Sequence, residues 1–275
     1  MMLTIAEKRA RFAELHASPG CFVIPNPFDV GSAKYLASLG FKALASTSAG
    51  MAFAAGKGDG AVDRAYVLSH LRDLAQATDL PINADFEAGF ARDPEGVHES
   101  ARLCVGAGVS GFSIEDYTGN PKAPLYGPSE AVERLRAARA AIDASGETVL
   151  LTARSEAILR QAGGLPEALR RLGAYAEAGA DVLYAPMVKT AAEVKEVVRV
   201  AGKLPVNVLA GWPGFTLREL EDLGVKRISV GGALARAAWS GFIRAAKDIA
   251  EHGRFDAFMG LPTMGDIAGA FEKRS

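Results

Sequence analysis

The sequence predicts a single (β/α)8 barrel of the TIM type with a C-terminal helical extension. Eight short apolar runs alternate with longer stretches of helical periodicity, and several of these stretches end in a glycine just before the next run. Strands that alternate with helices form a parallel sheet, and eight such repeats close it into a barrel. Since no linker interrupts the pattern, we predict one domain over residues 1–275.

The predicted strands begin at residue 21 and recur to residue 230. They are Cys21–Pro25, Lys42–Ser46, Pro81–Asp85, Gly111–Glu115, Thr148–Arg154, Asp181–Ala185, Pro205–Leu209 and Arg227–Val230. Amphipathic segments such as Pro128–Asp143 and Leu165–Ala178 lie between them and have the period expected of crossover helices. The extension, residues 255–275, is rich in Gly, Phe and Met, and we expect it to pack on the barrel or on a neighbouring subunit.

Composition excludes several classes of function. Lys and Arg number 31 against 32 Asp and Glu, so the net charge of -1 gives no field that recruits nucleic acid or an anionic membrane. The two cysteines, Cys21 and Cys104, form neither a disulfide framework nor a zinc site. No apolar run approaches the roughly 18 residues of a membrane span. We expect a soluble, cytoplasmic protein without a targeting segment.

Polar residues occupy the carboxyl ends of the first five predicted strands, where a barrel of this type has its active site. They are Asn26, Asp29, Ser46–Gly50, Asp85, Glu87, Glu115, Asp116, Arg154 and Glu156. Converging carboxylates repel one another in a partly dry pocket unless a cation or added protons neutralise them. Oxygen ligands without a His or Cys cluster favour Mg²⁺, or Mn²⁺, over zinc. The sequence therefore predicts a metal site.

The alternative is that each carboxylate caps the helix that follows it. This interpretation suits Asp93, which precedes Pro94, and extends to Asp116. It suits Asp85 poorly, because Asp85 ends an apolar strand.

Three further features indicate a binding site for an anionic substrate. Backbone N–H groups of the stretch Ser46–Gly50 are suited to bind a carboxylate, although such stretches are often plain loops. Arg154 ends an apolar strand and needs an anionic partner, which is either a substrate carboxylate or one of the neighbouring carboxylates. Asn207, inside the seventh strand, faces either the substrate or a structural hydrogen-bond partner.

Five motifs occur in order along nearly the whole barrel. They are Ser46-Thr47-Ser48-Ala49-Gly50, Gly56-Lys57-Gly58-Asp59-Gly60, Asp85-Phe86-Glu87-Ala88-Gly89, Ser113-Ile114-Glu115-Asp116 and Thr152-Ala153-Arg154-Ser155-Glu156. Taken together they resemble the isocitrate lyase/phosphoenolpyruvate mutase superfamily, which includes methylisocitrate lyase, phosphonopyruvate hydrolase and an oxaloacetate decarboxylase.

The resemblance implies roles for these residues. Asp85 is the expected principal Mg²⁺ ligand, with Glu87 and Glu115 helping directly or through water. Ser46, Thr47 and Ser48, through their backbone, and Arg154 are expected to hold the substrate carboxylate, and Asp59 to lie near its reacting end. The shared intermediate is an enolpyruvate-like species whose negative charge the metal stabilises.

One departure from the family concerns the loop after the fourth strand. The lyases carry a Lys-Lys-Cys-Gly-His type of loop whose cysteine acts as acid or base, whereas residues 116–127 here contain no cysteine. Asn120 and Lys122 remain as polar candidates for catalysis, with Tyr117 and Tyr126 as candidate proton donors. The Gly and Pro content indicates a gating loop, or a plain turn.

A second departure is that the sixth strand ends in Tyr184-Ala185-Pro186, without the carboxylate of the lyases. The four histidines lie away from the strand ends, and we assign none to catalysis.

We therefore predict a Mg²⁺-dependent lyase that cleaves or forms a C–C bond in a small 2-hydroxy or 2-oxo di- or tricarboxylate through a metal-bound enolate. The alternatives are C–P hydrolysis or phosphoryl mutation, oxaloacetate decarboxylation, and a non-catalytic protein that binds 2-oxo acids. Family resemblance implies a homodimer or homotetramer.

Overall fold

The computed structural model describes residues 3–272. Met1, Met2 and the last three residues of the predicted C-terminal extension lie outside this range. The eight parallel strands are β1 (Phe22–Ile24), β2 (Leu44–Ala45), β3 (Ile82–Asp85), β4 (Gly111–Glu115), β5 (Leu150–Arg154), β6 (Val182–Tyr184), β7 (Val206–Leu209) and β8 (Arg227–Ser229). Their order is β1-β8-β7-β6-β5-β4-β3-β2. The Ala45 N–H donates to the Pro25 carbonyl at 3.0 Å across the remaining seam, and the predicted barrel is confirmed.

Helices surround the strands. They are α1 (Ile5–Ala17), α2 (Val30–Ser38), α3 (Ser48–Ala54), α4 (Arg64–Ala77), α5 (Pro94–Gly106), α6 (Pro128–Ser145), α7 (Gly164–Glu177), α8 (Ala191–Ala201), α9 (Leu217–Asp222), α10 (Ala233–His252) and α11 (Met264–Glu272), with a 3-10 turn at Asp256–Phe258. The expected cap at the start of α5 is present, because Asp93 accepts a hydrogen bond from the Gly96 N–H at 2.7 Å and Pro94 occupies the first turn. None of the described helices has the length and apolarity that a membrane crossing requires.

Helix α1, which the sequence analysis did not predict, closes the amino-terminal end of the barrel. Phe12 is fully buried, and a side chain at Gly111 would meet its ring at 2.8 Å, so glycine is needed where β4 begins. Lys8 donates to the Ala75 and Thr78 carbonyls at 2.8 and 2.6 Å and thereby ties α1 to the end of α4. Because α1 covers this end, polar groups in the barrel interior are cut off from solvent on that side.

The last two helices differ in how they pack. Helix α11 lies against α2, and its Ala270 is buried. Helix α10 buries Ala235 alone among its 20 residues and turns large apolar side chains outward. An exposed apolar surface of this kind usually marks an interface.

Candidate active site

An acidic cluster surrounds Arg154 at the carboxyl ends of β3, β4 and β5. The Arg154 Nη1 lies 3.4 Å from Asp85 Oδ1 and 3.2 Å from Glu115 Oε2, and its Nε donates to Glu156 Oε1 at 2.7 Å. The predicted convergence of these side chains is therefore present in the structure. In the absence of a ligand, the anionic partners of Arg154 are the neighbouring carboxylates, as one of the two sequence interpretations stated.

Glu87 adds a further carboxylate to this acidic cluster. It stands in the left-handed region at φ 47°, and its Oε1 is buried without a hydrogen-bond partner among the described residues. A strained backbone and an unpaired buried oxygen on one residue are typical of a functional position. Burial first, and then the charges of Asp85 and Asp59, raise the pKa of Glu87 to about 7, against a lowering by Arg154.

Carboxyl groups outnumber guanidinium groups in the cluster. Glu156 is fully buried and also accepts from Arg160 Nε at 2.9 Å. The guanidinium groups of Arg154 and Arg160 therefore face four carboxyl groups, those of Asp85, Glu87, Glu115 and Glu156. Burial raises the pKa of Glu115 well above its usual range; Arg154 opposes this, and Glu156, Asp85 and Glu87 add to it. Burial lowers the pKa of Arg154, but Glu115, Glu156 and Asp85 more than offset that and hold it well above its usual range. The cluster is therefore neutralised either by protons on these carboxyl groups or by a cation that replaces the protons.

The residues fit Mg²⁺ in one specific way. Within residues 3–272, no three acidic, His or Cys side chains enclose a metal position by themselves. Mg²⁺, however, keeps several of its waters and commonly takes only one or two protein carboxylates. Asp85 provides such an oxygen at the smaller cavity, and Glu87, with its unpaired Oε1, and Glu115 provide others at the neighbouring larger cavity. A hydrated divalent cation held mainly by Asp85 is compatible with this donor set.

The stretch Ser46–Gly50 is not a loop but the junction between β2 and α3. Thr47 caps α3, since its hydroxyl accepts from the Gly50 N–H at 3.3 Å. The Ser48 N–H donates to Asp85 Oδ2 at 3.0 Å, and the Ser46 hydroxyl accepts from the Asp85 N–H at 2.8 Å. These contacts fix the orientation of the Asp85 carboxylate and place the Ser46–Ser48 segment beside it.

Asp59 lies on the exposed turn between α3 and α4 and lines a cavity of about 410 Å³. The same cavity is lined by Glu87, Glu115, Tyr117 and Tyr126. Asp59 therefore shares a cavity with Glu87 and Glu115, and its expected place near the reacting end of the substrate stays a prediction.

The loop between β4 and α6 is anchored at both ends by stacked arginines. Arg160 lies over the ring of Tyr117 at 3.6 Å, and Arg134 lies over that of Tyr126 at 4.0 Å. Asn120 and Lys122 lie at the exposed tip, where Asn120 Oδ1 accepts from the Lys122 N–H at 3.0 Å. They are not among the lining residues of the cavity, unlike the two tyrosines.

Asp116 has a structural role that differs from helix capping. Its Oδ1 accepts from the Glu156 N–H at 2.7 Å, and its Oδ2 accepts from Tyr175 at 2.6 Å and from Arg171 at 3.1 Å. With all these contacts buried, Asp116 ties the ends of β4 and β5 to α7. The capping alternative is therefore wrong for this residue.

The floor of the site is polar. Asn207 is buried, accepts from Arg227 Nε at 2.8 Å and donates to Ser229 Oγ at 3.0 Å. Together with Tyr184 these residues line a cavity of about 50 Å³ that extends to Asp85 and Arg154. The structure thus gives Asn207 the structural partners that one sequence interpretation allowed and also places it at the edge of the site.

Sequence reasoning did not single out Tyr184 or Arg227 as site residues. The available signal was a hydroxyl-bearing aromatic at the end of an otherwise apolar strand, and an arginine at the start of β8. Both cysteines lie elsewhere. Cys104 is fully buried on α5, and Cys21 is near the amino-terminal end of β1.

Comparison with known proteins agrees with this architecture. The family profile described as phosphoenolpyruvate phosphomutase matches residues 12–250. A solved structure of a lyase/mutase candidate from Burkholderia cenocepacia J2315 superimposes with a TM-score of 0.94 at 46% identity, covering 98% of each chain. A 2-methylisocitrate lyase from Bacillus subtilis is 28% identical over 266 residues, covering 90% of this chain and 83% of its own.

A 2,3-dimethylmalate lyase from Eubacterium barkeri is 29% identical over 224 residues, covering 78% of this chain and 76% of its own. These relatives are lyases and mutases of small carboxylates, and the superfamily resemblance read from the strand-end motifs is confirmed. The protein is an enzyme of the isocitrate lyase/phosphoenolpyruvate mutase superfamily and belongs to the phosphoenolpyruvate phosphomutase family.

Proposed function

We propose that this enzyme is a Mg²⁺-dependent lyase that cleaves or forms a C–C bond in a small 2-hydroxy or 2-oxo di- or tricarboxylate through an enolate. The observation that carries the proposal is the acidic cluster around Arg154. Four carboxyl groups face two guanidinium groups there, and a buried oxygen of Glu87 has no partner among the described residues. Such a site is suited to a cation, and a bound cation would free Arg154 for an anionic ligand.

Each residue has a definite task in this proposal. Mg²⁺, when bound at Asp85 with Glu87 and Glu115 close by, supplies positive charge that stabilises the oxygens of an enolate. Arg154, no longer needed to neutralise Asp85 and Glu115, offers two N–H groups to the substrate carboxylate. The Ser46–Ser48 segment lines the other side of this carboxylate site, and Asp59 faces the reacting end across the larger cavity.

A second candidate function is decarboxylation of a 2-oxo acid or cleavage of a C–P bond. The position of the cysteines favours it, because Cys104 is buried in α5 and Cys21 lies near the opposite end of the barrel from the acidic cluster. These reactions share the enolate but do not require a cysteine at the loop. A third candidate is a protein that binds 2-oxo acids without turnover.

A mass-spectrometric survey of products separates these candidates. The substrates are 2-methylisocitrate, isocitrate, 2,3-dimethylmalate, oxaloacetate and phosphonopyruvate, each with Mg²⁺ and with EDTA. The lyase proposal predicts Mg²⁺-dependent release of a 2-oxo acid from a 2-hydroxy acid. Release of CO₂ or phosphate alone supports the second candidate, and 2-oxo acid binding without any product supports the third.

Mg²⁺ binding is expected to release protons near neutral pH. Because burial raises the pKa of Glu87 to about 7, this group is largely protonated below that pH and must lose its proton to face a cation. The affinity for Mg²⁺ should therefore fall between about pH 8 and pH 6. Titration calorimetry in two buffers of different ionisation enthalpy measures the release. Glu87→Gln is the control that should reduce it, and a pH-independent affinity contradicts the assignment.

We also propose that the enzyme is a cytoplasmic homodimer or homotetramer. Large apolar side chains of α10 and the following segment are 37% to 88% exposed, from Leu234 to Met264. On α10, Trp239 and Phe242 form an edge-to-face pair with ring centroids 5.2 Å apart. A second copy of the chain would remove this surface from water. The two free thiols suit a reducing compartment.

Phe242→Asp tests the interface. Phe242 is 62% exposed in the single chain, so a charge there should leave the fold intact but oppose association. We expect light scattering after gel filtration to show the wild type as an oligomer and the variant as a smaller species. Lys247→Asp changes the charge of the same helix without removing apolar surface and should remain oligomeric. A monomeric wild type would refute the proposal.

A further inference from the structure

A row of paired residues runs across β4 to β8 from the mouth of the barrel into its interior. The register pairs Glu115 with Arg154, Arg154 with Tyr184, Tyr184 with Asn207, and Asn207 with Arg227. Because barrel strands are tilted, a row of partners descends relative to the barrel axis. Tyr184 stands in the middle of this row, between the acidic cluster and the polar floor.

The side chain of Tyr184 is 8% exposed and lines the cavity of about 50 Å³. Asp85, Arg154, Asn207 and Ser229 line the same cavity. The Arg154 guanidinium carbon lies 5.4 Å from the centroid of the Tyr184 ring. The phenol therefore lies close to the groups to which we assign substrate binding, and it is almost completely buried from solvent.

A hydrogen-bond chain with a fixed direction runs along the cavity beside this phenol. Arg227 can only donate, and its Nε donates to Asn207 Oδ1 at 2.8 Å. The amide is thereby oriented, so Asn207 Nδ2 donates to Ser229 Oγ at 3.0 Å. With its oxygen already accepting, Ser229 keeps its own hydroxyl proton to donate within the cavity that Tyr184 also lines.

Arg227 is unusual for a buried cation. It is 3% exposed, and among the described residues it has no carboxylate within ion-pair distance. Its remaining N–H groups contact neutral acceptors, including Asn83 Oδ1 at 3.3 Å and Thr152 Oγ1 at 3.1 Å. A buried positive charge without a counter-ion stabilises negative charge that develops nearby.

The ionisation of Tyr184 fits a proton donor at neutral pH. Burial raises its pKa to about 12; Arg154 and Ser229 oppose this, whereas Glu156 and Asp85 add to it. The group therefore holds its proton until a strong base, such as a carbanion, is formed beside it.

We infer that Tyr184 is the proton donor of the reaction and stands in for the cysteine that the lyase loop lacks here, an inference that rests on the proposed function. The substrate hydroxyl gives its proton to solvent, and the electron pair of that O–H bond forms the C=O bond of the 2-oxo acid as the C–C bond breaks. The electron pair of the C–C bond stays on the departing carbon as an enolate. The Tyr184 O–H bond then breaks, its proton forms a C–H bond with that carbon, and the electron pair of the O–H bond remains on the phenolate. Solvent returns a proton to the phenolate, which balances the proton lost from the substrate hydroxyl.

The loop tyrosines are less suited to this task. Tyr117 and Tyr126 each have one ring face covered by an arginine, which ties them to the anchoring of the loop. Tyr184 alone of the three is paired in register with Arg154 and Asn207.

The test compares Tyr184→Phe with the wild type on a substrate that the wild type turns over. General acid catalysis contributes about 10²–10⁴-fold, so kcat should fall by at least about 100-fold while KM changes little. Affinity for oxalate in the presence of Mg²⁺, measured by calorimetry, should be retained, because oxalate resembles the enolate of a 2-oxo acid and needs no proton. Tyr66→Phe, at an exposed position on α4, is the matched control and should match the wild type.

Ser229→Ala provides a second variant that keeps the phenol but removes the serine hydroxyl from the cavity that Tyr184 lines, and kcat should fall by a smaller factor, about tenfold. The inference is overturned if Tyr184→Phe retains kcat within about twofold. If Tyr184→Phe fails to fold, unchanged kcat in Ser229→Ala overturns it instead. If the wild type turns over none of the carboxylates tested, the proposed function is overturned, and this inference with it. If the wild type is active and the variants keep its kcat, only the inference fails, so the two failures are distinguishable.

Discussion

Asp85→Ala is expected to abolish Mg²⁺ dependence and to lower kcat by about a thousandfold, which corresponds to about 4 kcal/mol of transition-state stabilisation. The carboxylate is fixed by the Ser48 N–H at 3.0 Å and is one of several negative charges crowded around Arg154. Removing it takes away the principal oxygen for the cation but also relieves repulsion, so the fold should hold. Circular dichroism checks the fold, calorimetric titration measures Mg²⁺ binding, and steady-state rates with and without Mg²⁺ measure kcat and its dependence on the metal.

Asp93→Ala is the matched control for that experiment. Asp93 also follows the end of β3, but its carboxylate caps α5 and contacts the Gly96 N–H. We expect this variant to lose about 1 kcal/mol of stability and to keep its Mg²⁺ response. Asp85→Asn retains an acceptor for Ser48 and should be as inactive as Asp85→Ala. Unfolding of both Asp85 variants would mean that Asp85 is structural instead.

Arg154→Met is expected to destabilise the metal-free protein by about 3–5 kcal/mol at neutral pH. Glu156 is fully buried and Glu115 is 7% exposed, and both would lose the guanidinium that neutralises them. Urea unfolding followed by fluorescence measures the free energy of unfolding. Arg160→Met removes the more exposed partner of Glu156 and should cost less.

The loss in Arg154→Met should shrink as the pH falls. Burial already raises the pKa of Glu115 well above its usual value, and loss of Arg154 removes the charge that opposes this. Between the ordinary carboxyl pKa and the raised one, the folded variant binds more protons than the unfolded chain. Its stability therefore rises as the pH falls through the folded pKa. Mg²⁺ should restore part of the stability at neutral pH, and a loss that is independent of both pH and Mg²⁺ would contradict the charge argument.

Arg154→Lys separates substrate binding from this stability effect. A lysine keeps the positive charge but cannot form two parallel hydrogen bonds to a carboxylate. Its stability should lie near that of the wild type, whereas its affinity for oxalate should fall. Unchanged affinity would remove Arg154 from the substrate site.

Sequence patterns located those parts of the site that depend on short-range rules. Asp85 and Arg154 end apolar strands, and the carboxyl ends of parallel strands meet at one edge, so their convergence was predictable. The cap at Asp93 was predictable for the same reason, since a capping residue acts on the three residues that follow it.

Features that depend on contacts between distant segments were not predictable. Arg227 starts a strand, where a charged residue is usually exposed, but α1 covers that end of the barrel and His16 contacts the guanidinium at 3.4 Å. Asp116 resembles a helix cap in sequence, yet its partners Arg171 and Tyr175 come from a helix more than fifty residues later. The Ser46–Gly50 stretch has loop composition, but Thr47 caps a helix that the Gly and Ser content did not indicate.

The most direct test of the central claim follows a single sample by proton NMR. The wild-type enzyme is mixed with 2-methylisocitrate or 2,3-dimethylmalate in EDTA, and Mg²⁺ is then added in excess. We expect no change before the addition and afterwards the joint appearance of a 2-oxo acid and the second carboxylate in equal amounts. Product formation in EDTA, or the absence of product from every 2-hydroxy acid although Mg²⁺ and oxalate bind, would contradict a Mg²⁺-dependent C–C lyase.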